Sequence, residues 1–133
     1  MSEPYTAIQV VMMPRDTNPH GTIFGGILLS YIDQAGAIGA RREVVRAGGG
    51  LPALVTVAVH RVEFLKPVLV GDVVRFITRL VRLGRTSITM HVQVEAERGR
   101  EVIQVTSAEV VYVGVDLKTP ERTPKPLLDE RPA

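Results

Sequence analysis

The sequence lacks cysteine and tryptophan, and it has only three histidines. Without a thiol there can be no disulfide, no thiolate nucleophile and no cysteine metal site, so covalent chemistry would fall to a carboxylate or a hydroxyl. The histidines His20, His60 and His91 are far apart, and no acidic cluster accompanies them. We therefore expect no metal ion. The N-terminal residues show neither the basic start nor the long apolar core of a secretory signal, which predicts a cytoplasmic protein.

The excess of one sign of charge over the other is also small. The 16 Lys and Arg residues face 14 Asp and Glu residues, which leaves a net charge of +2. Because the basic residues are scattered, nucleic acid is not an expected partner. Ile23 to Ala40 runs without a basic group and reaches the minimum length of a membrane span. Asp33 near its middle would be costly in lipid, so we predict a buried helix and no membrane span.

The chain of 133 residues is 45% hydrophobic and suits one domain with a single core. Apolar residues keep helical character from Ile23 to Arg42, and from residue 53 onward they alternate, as strands require. The predicted helix covers residues 23–42, and the predicted strands cover 7–13, 53–65, 72–83, 86–98 and 101–115.

The predicted helix is apolar on nearly all sides, so a curved antiparallel sheet wrapped around it would bury it fully. This α+β arrangement of one long central helix and one sheet is the hotdog fold. An open sheet leaves exposed edges, which makes a homodimer the expected assembly. We assign this domain to residues 1–115. The proline-rich residues 116–133 are predicted to form an extended or disordered tail.

Asp33 is the only carboxylate of the predicted helix. The residues on its side of the helix are nearly all small, and they are Gly26, Leu29, Ser30, Gly36, Ala37 and Ala40. Small neighbours fit tight packing around an acid that is salt-bridged to an arginine. They fit equally well a space for substrate beside a reactive group. The residues alone leave both interpretations open.

The start of the helix is a second candidate element. Gly25 and Gly26 lie where backbone N–H groups have no partner within a helix, and without side chains they would let an oxyanion approach those donors. Alternatively, the two glycines only permit a tight entry into the helix. Asn18 and His20 lie in the preceding loop, where asparagine before proline is most often a turn residue.

Several spaced blocks then agree in order with one known family. They are the run from Asp16 to Gly26 (DTNPHGTIFGG), Asp33, Phe64-Leu65-Lys66-Pro67, Gly71-Asp72 and Gly84-Arg85-Thr86-Ser87. Over roughly residues 7–115 the chain resembles the hotdog-fold acyl-CoA thioesterases of the YciA and brain acyl-CoA hydrolase type. A set of blocks in the right order is far more specific than any single one of them.

The resemblance implies hydrolysis of acyl-CoA, with coenzyme A as part of the substrate and no separate cofactor. It implies that Asp33 acts as general base or nucleophile, that Asn18 assists, and that the active site lies between two subunits. It also implies that the turn of Arg85, Thr86 and Ser87 contacts CoA. Lys66 and Arg85 are our candidates for the CoA phosphates, although a charged residue beside a turn is usually only solvated. At His60, where relatives carry an acidic or another polar residue, we assign no role.

Helix geometry gives one constraint on this site. Gly26 and Asp33 are two turns apart, or about 10 Å along the axis, so one chain does not easily bring both to one carbonyl. We therefore expect Asp33 of one subunit to face Asn18 and Gly26 of another, in a homodimer or in a hexamer built as a trimer of dimers. The rival interpretations are a hotdog module that binds acyl-CoA without cleaving it, and a hydratase or dehydratase. The latter typically needs a histidine on the central helix, and this helix has none.

Overall fold

The structure, a computed structural model, describes residues 2–128 of the chain. One long helix packs on a five-stranded antiparallel sheet, so the predicted α+β hotdog architecture is confirmed. The elements in chain order are β1 Tyr5–Val11, a 3-10 turn Pro14–Asp16, α1 Gly25–Arg46, β2 Leu54–His60, β3 Val73–Leu83, β4 Ser87–Arg98 and β5 Glu101–Gly114. Their order is the predicted one. The helix runs four residues further than predicted, β2 ends five residues earlier, and the 3-10 turn was not predicted.

The sheet has the strand order β1-β3-β4-β5-β2, so β1 and β2 form its two edges. The central strand β4 shows why the sequence folds in this way, because its side chains alternate strictly between two faces. The apolar face of β4 is fully buried in the core, and its residues are Ile88, Met90, Val92, Val94 and Ala96. Polar side chains of β4 occupy the opposite face, away from α1.

The helix is buried on one side only. The buried residues of α1 are Leu28, Ile32, Ala35, Gly36, Gly39, Ala40 and Val44. Leu29, Ile38 and Val45 are exposed in the single chain. The prediction of a helix buried on all sides is therefore wrong for one protomer, because five strands cover only one side of a helix this long.

The edge strand β2 is also less buried than its sequence suggested. Val55, Val57 and Val59 are all exposed, and Val57 is 55% exposed. The pairing of β2 with β5 shifts between Thr56 and Ala58, which makes a bulge at Val57. An apolar edge strand that stays uncovered is a surface on which another chain can pair.

Residues 116–128 return to the domain. The N–H of Lys125 donates to the carbonyl of Gly114 at 2.7 Å, and the N–H of Leu127 donates to the carbonyl of Arg85 at 3.0 Å. Leu127 is only 5% exposed and belongs to the hydrophobic core. The structure thus differs from the predicted extended or disordered tail over these residues, because a leucine among the prolines finds apolar contacts. Residues 129–133 of that predicted tail lie outside the described part of the chain.

An ion pair between the buried Asp72 and the half-buried Arg98 lies at one end of the sheet. Arg98, the last residue of β4, donates to both carboxylate oxygens of Asp72, at 2.9 and 2.8 Å, and the N–H of Leu69 donates to the same carboxylate at 2.9 Å. Burial by itself raises the pKa of Asp72, but these hydrogen bonds and the charge of Arg98 outweigh it and bring the pKa below its ordinary value. Arg98 also donates to the carbonyl of Pro67 at 3.1 Å, so the pair holds the segment that carries Lys66 against the sheet.

The predicted absence of a membrane span concerns α1. Between residues 2 and 128, no helix is long and apolar enough to cross a membrane.

Candidate active site

Asp33 lies in the middle of α1, half-buried, and its carboxylate contacts the edge strand β2. The hydroxyl of Thr56 on β2 donates a hydrogen bond of 2.6 Å to its Oδ1 atom. Within residues 2–128, no arginine or lysine forms an ion pair with Asp33. The interpretation of Asp33 as a salt-bridged structural acid is therefore not supported by this part of the chain. Sequence reasoning missed Thr56, whose only signal was a hydroxyl within a run of valines.

Tyr112 on β5 contacts the same residue from the sheet. Its hydroxyl donates to the backbone carbonyl of Asp33 at 2.6 Å. Burial, and then the negative charge and hydrogen bonding of Asp33, raise the pKa of Tyr112 above its ordinary value. The hydroxyl is therefore protonated and remains a donor. No signal in the sequence pointed to Tyr112, which is 79 positions away from Asp33.

The small residues around Asp33 divide into two kinds. A Cβ atom on Gly36 would overlap the hydroxyl of Tyr112, and one on Gly39 would lie 2.8 Å from the Cβ of Thr78. These two glycines therefore serve tight packing of helix on sheet. Gly26 is different, since a Cβ there would meet nothing within 4 Å. Open space beside the helix is thus found at the N-terminal side of Asp33.

The helix start is accessible, as an oxyanion site requires. α1 begins at Gly25, and no side chain caps it. Among the described residues, no acceptor takes the N–H groups of Gly25 and Gly26. A cavity of about 320 Å³ opens beside Gly25, and Phe64 and Lys66 are part of its wall. The structure therefore brings two predicted elements together, the helix start and Lys66.

Asn18 organises its own loop. Its Nδ2 atom donates to the hydroxyl of Thr22 at 2.7 Å. Its Oδ1 atom accepts from the backbone N–H groups of His20 and Thr22, at 2.9 and 3.2 Å. These contacts favour the interpretation of Asn18 as a turn residue, with one N–H of its amide left over for a ligand. A catalytic role of Asn18 stays a prediction.

The candidate CoA contacts are not together in one chain. Lys66 and Pro67 lie beside Arg98 at the end of β4, whereas Arg85, Thr86 and Ser87 lead into its beginning. A strand of 12 residues spans about 36 Å from its first to its last residue. Lys66 and Arg85 of the same chain therefore cannot hold the same phosphate groups.

The turn that contains Arg85 is built into the domain. The carbonyl of Thr86 accepts from the N–H of Gly114 at 2.8 Å, and the carbonyl of Arg85 accepts from Leu127. A cavity of about 290 Å³ lies next to Leu127, with Lys118 and Lys125 in its wall. Because residues 116–133 were predicted to be extended or disordered, the sequence placed neither lysine in the wall of a cavity.

The histidines lie away from Asp33. His20 is exposed in the Asn18 loop, and His60 and His91 line a cavity of about 450 Å³ on the sheet face opposite α1. Burial, and then the charge of Arg79, lower the pKa of His91 below its ordinary value against the opposing effect of Glu109. From residue 2 to residue 128, no group of three or more His, Asp or Glu residues could hold a metal ion.

Comparison with known proteins agrees with this architecture. Residues 20–103 match the model of the thioesterase superfamily. The chain is 40% identical over 125 residues to the acyl-CoA thioester hydrolase YciA of Salmonella typhimurium, which covers 90% of this chain and 87% of that protein. A hexameric hotdog-fold thioesterase of Campylobacter jejuni is 40% identical in sequence and superposes with a TM-score of 0.78. This match covers 91% of the present chain and 88% of the Campylobacter chain. A hexameric thioesterase of Yersinia pestis is 35% identical in sequence and superposes with a TM-score of 0.81. This match covers 95% of the present chain and 97% of the Yersinia chain.

A long helix on an antiparallel sheet, with one acid at its centre and an uncapped glycine start, defines a hotdog-fold enzyme. The chain belongs to the thioesterase superfamily, and the predicted resemblance to YciA-type thioesterases is confirmed.

Proposed function

We propose that the protein hydrolyses acyl-CoA thioesters to a free carboxylic acid and CoA, with no cofactor besides the CoA of its substrate. The observation that carries this is the half-buried acid of α1, whose carboxylate is oriented by Thr56 at 2.6 Å. Similar proteins are named acyl-CoA thioester hydrolases, which supports acyl-CoA as the substrate class. A cytoplasmic location stays a prediction.

In the proposed reaction, Thr56 holds Oδ1 of Asp33, and Oδ2 takes a proton from a water molecule that attacks the thioester carbonyl carbon. The N–H groups of Gly25 and Gly26 donate to the oxyanion that forms. The oxyanion then collapses, the C–S bond breaks, and CoA leaves as a thiolate without the help of a strong acid. The proton on Asp33 passes to the thiolate or to solvent, which restores the carboxylate. Direct attack by Asp33 would instead give an anhydride, which water hydrolyses to the same products.

The site is proposed to be shared by two subunits. Thr56 lies on the edge strand β2, so its partner Asp33 is close to the apolar edge formed by Val55, Val57 and Val59. A second copy that covers this edge would approach Asp33 and could supply the Asn18 loop and the helix start. We propose a homodimer, and a trimer of such dimers is consistent with the hexameric relatives.

Mixing two inactive variants tests the shared site. Asn18→Ala and Asp33→Asn each damage every site of their own homodimer, whereas a mixed dimer contains one site with both native residues. Random pairing after co-refolding at equal amounts is expected to restore about a quarter of wild-type turnover, because half of the dimers are mixed and each has one intact site. If the mixture is no more active than its two components, Asn18 and Asp33 act from the same chain or Asn18 has no role.

Lys66 is proposed to contact the phosphates of CoA from the wall of the cavity at the helix start. Lys66→Met is expected to raise KM for an acyl-CoA about tenfold and to leave kcat within twofold, since the lost contact is with a charged group remote from the carbonyl. KM for the matching acyl-pantetheine, which has no adenosine phosphates, should not change. An equal rise of KM with both substrates would contradict phosphate binding.

Release of free thiol from a panel of acyl-CoAs tests the function itself. A thioesterase releases one thiol for each carboxylic acid formed, at a rate proportional to enzyme. Binding without thiol release would favour the non-catalytic module, and turnover of an enoyl-CoA without thiol release would favour a hydratase.

A further inference from the structure

Tyr112 reaches Asp33 from the sheet, yet the proposed reaction does not use it. Its hydroxyl donates to the backbone carbonyl of Asp33, whereas the hydroxyl of Thr56 donates to the carboxylate, both at 2.6 Å. Thr56 and Tyr112 are direct partners across β2 and β5. One cross-strand pair therefore holds Asp33 at both its side chain and its backbone.

Gly36 makes the approach of Tyr112 possible. A Cβ atom at position 36 would overlap the hydroxyl oxygen of Tyr112 and lie 3.1 Å from its Cζ atom. In a regular helix, the carbonyl of Asp33 accepts only from the N–H of Ala37, whereas here it also accepts from the Tyr112 hydroxyl. The hydroxyl is thus inserted at the hydrogen-bonding groups of the helical turn that starts at Asp33. It does more than pack against the surface of α1.

The strand geometry supports the same interpretation. The register between β2 and β5 shifts directly after the Thr56 and Tyr112 pair, with Val57 as the extra residue. β-Bulges redirect side chains and are common beside active sites. Tyr112 itself is 1% exposed, so no substrate can touch it without unfolding of the core.

We propose that Tyr112 is a positioning residue for Asp33. The Tyr112 hydroxyl, which can approach α1 because Gly36 has no side chain, fixes the turn of the helix that carries the acid. This inference rests on the proposed function, in which Asp33 is the base or nucleophile. A general base has to come within about 3 Å of its proton, and a misplacement of about 1 Å can lower the rate on the order of 100-fold. Because Tyr112 acts through Asp33 and does not touch substrate, its loss lowers kcat and leaves KM unchanged.

Tyr112→Phe tests the proposal, because it removes the hydroxyl and keeps the buried ring. We expect kcat for acyl-CoA hydrolysis to fall about tenfold, with KM within twofold of wild type. Thr78→Val is the matched control. Thr78 is also 1% exposed, its hydroxyl donates to the backbone carbonyl of Tyr5 at 3.3 Å, and it contacts Gly39 as Tyr112 contacts Gly36. This control should lower the melting temperature to a similar extent and keep the wild-type kcat.

A second pair of variants links Gly36 to the hydroxyl. Gly36→Ala should lower both kcat and the melting temperature in the wild type, and both losses should be smaller in the Tyr112→Phe background, where the overlapping oxygen is gone. Equal losses in the two backgrounds would contradict the inference, as would a Tyr112→Phe variant with wild-type kcat or with the same kcat loss as Thr78→Val. If the wild type is active, these contradicting outcomes refute only the role of Tyr112, and the proposed function still stands. A wild type that releases no CoA overturns the proposed function and this inference together.

Discussion

Asp33→Asn is expected to lower kcat for acyl-CoA hydrolysis by a factor of at least ~100, because an amide can neither take a proton from water nor form an anhydride. The substitution keeps the size of the side chain and an oxygen that accepts from Thr56, so the position of the group should not change. KM should stay within a few-fold, since Asp33 acts on the reacting carbonyl and not on the rest of CoA. Steady-state measurement of thiol release gives both constants.

The control for this prediction is Glu43→Gln, which removes another carboxylate from α1. Glu43 lies near the end of the helix, where its partner is Arg42 at 3.6 Å. This variant is expected to keep wild-type kcat, and both variants should melt close to the wild type. Near-normal turnover of Asp33→Asn would refute the assignment of Asp33, and the proposed mechanism with it.

Arg98→Met is expected to have the largest effect on stability. It leaves the carboxylate of Asp72, which is 2% exposed, without its cationic partner. Loss of one partner from a fully buried pair costs about 3–5 kcal/mol, but the Arg98 side chain is 35% exposed and solvent screens the pair. We therefore expect a loss of about 2 kcal/mol in the free energy of unfolding at neutral pH, as measured by denaturant titration.

Arg75→Met is the matched control, because Arg75 also forms two hydrogen bonds to carboxylates of the sheet, those of Glu95 and Glu97. Glu97 is 45% exposed, so water can replace part of what is lost. We expect this variant to lose under about 1 kcal/mol. A loss as large as that of Arg98→Met would show that the burial of Asp72 has no special effect.

Acid should remove the difference between wild type and Arg98→Met. In the folded wild type, the pKa of Asp72 is below its ordinary value of 3.8. The pair therefore stabilises the folded protein fully at pH values above the ordinary pKa of 3.8. This contribution to the free energy of unfolding is lost as the pH falls through the lower pKa of the folded state. If the two proteins differ by as much at acid pH as at neutral pH, the effect of Arg98 is one of packing and not of charge.

Much of the architecture could be predicted from local patterns. The strict alternation of β4 and the apolar run before Arg42 gave the element types, because side-chain period follows directly from backbone geometry. The burial of individual elements could not be predicted in this way. Val55, Val57 and Val59 alternate as a buried face would, yet β2 is an edge strand, and strand order is a property of the whole sheet.

The candidate site was likewise only partly predictable from the sequence. The sequence by itself determined that Asp33 is the one acid within the predicted helix of residues 23–42, that two glycines lie at the helix start, and that the chain resembles a thioesterase. Only the tertiary structure decided which groups hold that acid, because Thr56 and Tyr112 are 23 and 79 positions away from Asp33. It also placed Leu127 in the core and separated Lys66 from Arg85 by the length of β4. The physical reason is that residue type and spacing act over a few positions, whereas these contacts depend on the pairing of strands that are distant in the chain.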